Sequence, residues 1–147
     1  MKSVARIIIF MVMLIALTAC ANQSSQTQAI SIKDVWARPG ISGGNSAVYF
    51  VIENSAQQPD TLLKAEADIA QFVELHMTSM DAEGNMSMQQ QESVPVEAGA
   101  QVEFKPGGLH IMLIQLNNDL TAGETIPVTL QFQNAGPIQI QANVKQP

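Results

Sequence analysis

Lys105-Pro106-Gly107-Gly108-Leu109-His110-Ile111-Met112-Leu113-Ile114-Gln115-Leu116 reads as a turn that feeds a strand. Proline fixes φ and the two glycines accept left-handed backbone, so residues 105–108 reverse the chain. The apolar run from Leu109 to Leu116 is strand length and too short for a helix of ordinary size. Side chains of a strand alternate between its faces, so His110 and Met112 project to the same side, about one pleat repeat apart. An imidazole and a thioether so placed can grip one ion together. The turn puts His110 at the start of its strand, near an end of the fold where solvent or a partner reaches it.

The same pattern of short apolar runs between Gly, Pro, Asn and Asp extends in both directions from this stretch. It predicts strands at Ile32–Arg38, Ala47–Glu53, Thr61–Glu66, Phe72–Met77, Met86–Gln91, Gln101–Phe104, Leu109–Leu116, Thr125–Phe132 and Ile138–Val144. No segment carries a 3.6-residue apolar stripe over three turns, and Asp68-Ile69-Ala70 is at most one helical turn. The fold class is therefore all-β, and nine short strands at this spacing predict a sandwich with Greek-key connections. No internal repeat or second domain boundary interrupts it.

Residues 76–112 hold both histidines, His76 and His110, and every methionine beyond the first thirteen residues: Met77, Met80, Met86, Met88 and Met112. Thioether sulfur and imidazole nitrogen are the donors that a soft monovalent ion such as Cu(I) prefers to carboxylate oxygen. Met86 and Met88 repeat the i, i+2 relation of His110 and Met112, whereas His76 and Met77 point to opposite faces in a regular strand. The alternative is that the methionines fill gaps in a core and the histidines are satisfied core residues. Clustering of both residue types in one window favours the metal.

At the other end, Met1–Ala19 carries Lys2 and Arg6, then an apolar run from Ile7 to Leu17, then small residues, as an export signal does. That run falls short of the roughly 20 residues of a membrane span. Leu17-Thr18-Ala19-Cys20 resembles the bacterial lipobox, which implies cleavage before Cys20 and lipid on its sulfur. Residues 20–30 then form the lipidated cysteine and a polar, flexible tether, and residues 31–147 the β-sandwich domain. The protein is expected in the bacterial cell envelope, facing the periplasm and held to a membrane by its lipid, with inner and outer membrane both open.

Cys20 is the only cysteine, so lipidation leaves no thiol and no internal disulfide. A blue-copper electron-transfer site, which needs a cysteine thiolate, is excluded. Without residues 1–19 the chain keeps five of its seven basic residues and all thirteen acidic ones, net −8. Nucleic acid is thereby a poor partner. No nucleophile with a base and no carboxylate pair suggests catalysis, and the protein is not read as an enzyme.

The spacing His76-Met77-x10-Met88-x21-His110-x-Met112 resembles the signature of the periplasmic copper chaperones that supply the CuA centre of cytochrome c oxidase, the PCu(A)C family. Val35-Trp36-Ala37-Arg38-Pro39, Ala47-Val48-Tyr49-Phe50 and Phe104 through Met112 extend the resemblance over about residues 31–145. It implies a cupredoxin-like β-sandwich, Cu(I) as the bound ion, and His76, Met88, His110 and Met112 as its ligands. Met77 matches an optional position of the motif; Met80 and Met86 match none. The partners implied are cytochrome c oxidase subunit II or another copper-relay protein. Three readings follow: a Cu(I) metallochaperone, a copper buffering or tolerance lipoprotein with the same site, and a structural or non-metal-binding β-sandwich lipoprotein whose methionines are core.

Overall fold

The computed structural model describes residues 29–146. The export signal, Cys20 and nearly all of the tether lie outside the described residues. The described chain forms ten strands: β1 (Ile30–Ala37), β2 (Ser46–Asn54), β3 (Asp60–Glu66), β4 (Ala70–Met80), β5 (Met86–Gln91), β6 (Val94–Val96), β7 (Gln101–Phe104), β8 (Leu109–Leu116), β9 (Thr125–Phe132) and β10 (Gly136–Val144). No helix occurs among the described residues, and the segment at Asp68–Ile69 is a plain turn that delivers the chain into β4.

Hydrogen bonding links the strands in the order β5-β4-β8-β7-β2-β1-β10-β9-β3-β6, with β8 also paired to β2. Pairs β1–β10 and β7–β8 are parallel and the others antiparallel, so the chain repeatedly leaves a neighbour and returns to it from across the fold. This is the Greek-key, cupredoxin-like β-sandwich, its continuous sheet wrapped around one core. Val48, Phe50 and Ile52 of β2, Leu75 of β4, Ile111 and Leu113 of β8, and Val128 and Leu130 of β9 fill that core. Phe50 and Phe104 stack at 4.4 Å between ring centroids. Each such side chain removed from water contributes roughly 1.5–3 kcal/mol.

β6 is the strand that sequence patterning misses. Val94-Pro95-Val96 is only three residues long and has a proline at its centre, yet it pairs with β3 at the end of the sheet order. An edge strand needs hydrogen bonds on one side only, so a residue without N–H is tolerated there. The opposite edge, β5, buries none of its six residues. The β4–β5 hairpin thus overhangs the core rather than covering it.

β8 combines the two faces. Ile111 and Leu113 point into the core and are fully buried, while His110, Met112 and Ile114 occupy the other face. Near its end Gln115 takes a left-handed backbone (φ 56) that breaks the alternation and returns Leu116 to the core.

Candidate metal centre

Register on both sides of β4 assembles the predicted donors. His76 of β4 lies directly opposite His110 of β8, and Glu74 opposite Met112. Across the other edge of β4, Thr78 lies opposite Met88 of β5. Directly opposed residues share a face, and so do residues two apart on one strand. Glu74, His76, Thr78, Met88, His110 and Met112 therefore occupy one face of the sheet, back to back with the core residues Leu75 and Ile111. Met77, opposite Leu109, turns to the other face, in keeping with its alternation from His76.

On this face lies a cleft of about 400 Å³ whose walls include Met88, His110 and Met112 together with Met86, Tyr49 and Arg38. Among the described residues its wall holds no carboxylate, and it does hold the Arg38 guanidinium. Among the described residues there is no group of three or more His, Cys, Asp or Glu side chains suited to a metal. Hard divalent cations favour oxygen ligands. The cleft instead presents neutral soft donors beside a fixed positive charge.

His76 stands at the edge of this arrangement. Its ring centroid is 5.8 Å from that of His110, but its side chain turns toward Glu74 and does not line the cleft wall. Its Nε2–H donates to Glu74 Oε2 at 2.8 Å. A carboxylate can only accept here, so Nε2 carries a proton, and in the neutral ring the lone pair is on Nδ1. That Nδ1 is the one buried side-chain nitrogen or oxygen among the described residues without a hydrogen-bond partner. A buried acceptor left open costs roughly 1–3 kcal/mol unless something occupies it. A metal ion is one occupant that an imidazole nitrogen accepts.

The turn at residues 105–108 fixes the other ring. Gly108 N–H donates to Lys105 O at 3.0 Å across Pro106 and Gly107, and Gly107 has φ 77, the geometry of a type II turn. The Gly108 carbonyl then accepts from Thr78 N–H at 3.1 Å and from His110 Nδ1–H at 3.0 Å. One carbonyl thus ties β4 to the start of β8 and sets the His110 tautomer, leaving the Nε2 lone pair for a ligand. Burial of His110, which is 4% exposed, pushes its pKa below the ordinary imidazole range; the Gly108 hydrogen bond opposes this, and repulsion between the two rings when both are protonated adds to it.

The side walls differ in packing and exposure. Tyr49 lies 6.4 Å from His110 and 4.5 Å from Trp36, and Lys145 Nζ sits 5.4 Å above Trp36, so that flank is buttressed. Met88, from the overhanging hairpin, is 58% exposed. Three of the four donors named by the sequence motif therefore share one cleft, and the fourth is the cross-strand partner of His110. Glu74, Thr78 and Tyr49 were not singled out from sequence. Glu74 and Thr78 were within reach of the alternation rule, being two residues to either side of His76.

This all-β, cupredoxin-like sandwich is the fold of the PCuAC domains. The chain belongs to the LpqE-like family, whose model, described as "Putative lipoprotein LpqE-like", matches residues 30–144. Among solved structures, the copper-bound PCuAC domain from PmoF2 is 26% identical, with a TM-score of 0.67, covering 81% of this chain and 94% of that one. The solution structure of CuI-DR1885 from Deinococcus radiodurans is also 26% identical, with a TM-score of 0.62 and coverage of 88% and 89%. An uncharacterized protein of Rickettsia prowazekii (strain Madrid E) is 31% identical over 110 residues, 72% of this chain and 61% of the relative, so the chain matches less than two thirds of that protein's length. "Putative lipoprotein Lxx21020" of Leifsonia xyli subsp. xyli (strain CTCB07) is 28% identical over 141 residues, 90% of this chain and 84% of the relative.

Proposed function

We propose that this protein is an extracytoplasmic Cu(I) metallochaperone, holding one ion with His76, Met88, His110 and Met112 and passing it toward the CuA centre of cytochrome c oxidase. The observation that carries the reading is the His76–His110 cross-strand pair. It sets a buried Nδ1 that has no hydrogen-bond partner beside a second imidazole whose free nitrogen is Nε2, next to a cleft walled by Met88 and Met112. The solved PCuAC structures with copper support the choice of ion.

Two neutral imidazoles and two thioethers suit a carrier better than a permanent holder. They match a soft cation, yet the cysteine thiolates of a CuA acceptor match it more closely and should draw it away. Met88 lies on an exposed edge strand, where a ligand can leave and be replaced during exchange. Residues 1–19 act as the export signal, Cys20 bears the lipid, residues 20–30 tether the domain residues 31–147 to the membrane, and the tether keeps local concentration high near membrane-borne acceptors. The lipoprotein reading is supported by the family description and by the name of the Leifsonia relative. No enzymatic step is assigned to the site.

The test is an anaerobic titration with Cu(I) against a chromogenic chelator, followed by mixing of the loaded protein with a reduced apo CuA domain. One tightly held ion that moves to the dithiol acceptor, and not to the same acceptor with both cysteines changed to serine, is the expected result. Failure to compete with the chelator sinks the metal reading; tight binding with no transfer sinks the delivery step alone.

A further inference from the structure

Two methionines outside the motif remain unexplained by packing. Met80, the last residue of β4, and Met86, the first of β5, are direct cross-strand partners, 70% and 65% exposed. At that exposure neither side chain fills a gap in the core. An exposed facing pair of this size gains little from the hydrophobic effect.

The hairpin holds the pair in register from both sides. Outside it, Asp81 N–H donates to Asn85 O at 3.0 Å, Asp81 Oδ1 accepts from the Asn85 and Glu83 N–H groups, and Asp81 Oδ2 accepts from Asn85 Nδ2. Inside it, the Ser79 and Ser87 hydroxyls meet at 3.0 Å on the opposite face. Because Asp81 N–H donates to Asn85 O in a ladder-type bond, Met80 and Met86 form the closer, non-hydrogen-bonded kind of pair, with Cβ atoms about 4.5–5.5 Å apart. Their thioethers can close on one ion without moving the backbone. The Asp81 carboxylate, the hard donor nearest by sequence, already accepts from two backbone N–H groups and one side-chain amide.

We propose that Met80 and Met86 form a second, weaker site for a monovalent soft metal ion at the outer end of the β4–β5 hairpin. The choice of ion rests on the Cu(I) reading of the neighbouring cleft, although the site is built from different residues. Met86 touches both: its partner is Met80, and its side chain helps wall the cleft that Met88, two residues on, also lines. An ion caught at the exposed pair reaches Met88 along one strand face. Two thioethers open to water bind more weakly than four donors around a partly buried cleft, as an entry or exit station requires.

Silver(I), a monovalent soft ion stable in air, is the probe, added to the protein carrying ¹³C-labelled methionine methyl groups and followed by NMR. The Met88 and Met112 signals should move first and stop at one equivalent. Beyond that point Met80 and Met86 should move together along one further binding curve. Met80→Leu should abolish this second step while the Met88 and Met112 responses persist, and Met77→Leu, on the opposite face, should leave both steps intact. Met80 and Met86 signals that stay fixed past one equivalent overturn the proposal, and so does a Met77 signal that moves in parallel with theirs, which indicates unselective thioether binding. If Met80 and Met86 respond while Met88 and Met112 never do, the second site stands and the ligand assignment of the cleft falls.

Discussion

His76 and His110 are direct cross-strand partners whose ring centroids lie 5.8 Å apart, and each ring is pinned by a hydrogen bond through a different nitrogen. The pinning assigns free lone pairs to Nδ1 of His76 and Nε2 of His110. His110→Ala and Met112→Ala should each weaken Cu(I) binding by more than about 100-fold, beyond the 10–100-fold typical of losing an outer-shell partner. Chelator competition measures this. Met80→Leu should leave the first binding step within about threefold, since mutating a residue that is no ligand of that site stays below the outer-shell range; equal losses at Met80 and Met112 would contradict the assignment.

Glu74 should matter without touching the ion. Glu74→Leu removes the acceptor from His76 Nε2–H, frees the ring to rotate and change tautomer, and should lower Cu(I) affinity by roughly 10–100-fold. Glu74→Gln retains an oxygen acceptor and should recover most of that loss. Nitrogen NMR of the metal-free protein gives an independent readout: His76 should carry its proton on Nε2 in the wild type and in Glu74→Gln, and populate both tautomers in Glu74→Leu.

The pH dependence follows from His110. Its pKa is lowered in the folded protein, chiefly by burial, so the unfolded chain takes up a proton more readily than the native state. The stabilisation it contributes is complete above the unfolded value, about 6.5, and is lost as pH falls through the lower folded value. Chemical denaturation of the metal-free protein should show stability declining below about pH 6.5, with the decline reduced in His110→Gln. Copper binding should weaken in the same direction, because a proton competes for the imidazole.

Gly107 is the point where the turn can be broken. At φ 77 an added Cβ has open space around it but meets its own backbone, so Gly107→Ala should cost about 1–2 kcal/mol. The Gly108 carbonyl would shift with the turn. A lowered Tm accompanied by weaker Cu(I) binding is expected, whereas Gly99→Ala, at φ 70 in the β6–β7 loop, should lower Tm alone.

Much of this was legible in the sequence because it is local. Leu109–Leu116 and Met86–Gln91 are the strands expected, and the i, i+2 placement of His110 with Met112 and the separation of His76 from Met77 both follow from strand alternation. Val94–Val96 was hidden because Pro95 and a three-residue length read as loop; only its pairing with β3 makes it a strand. β4 begins at Ala70 and runs to Met80, beyond the expected Phe72–Met77, since pairing with β5 and β8 carries it past its apolar stretch. The roles of Glu74 and the Gly108 carbonyl depend on register between β4 and β8, whose paired residues lie more than thirty positions apart in the chain. No local pattern encodes that distance.

The central claim is the composition of the first copper shell, and X-ray absorption at the copper edge of the protein loaded with one equivalent of Cu(I) tests it most directly. A mixed shell of two nitrogen and two sulfur scatterers, with one nitrogen lost in His76→Ala and one sulfur lost in Met112→Ala, is the result required by the His76, Met88, His110 and Met112 assignment. A shell of sulfur alone, unchanged in His76→Ala, would contradict it.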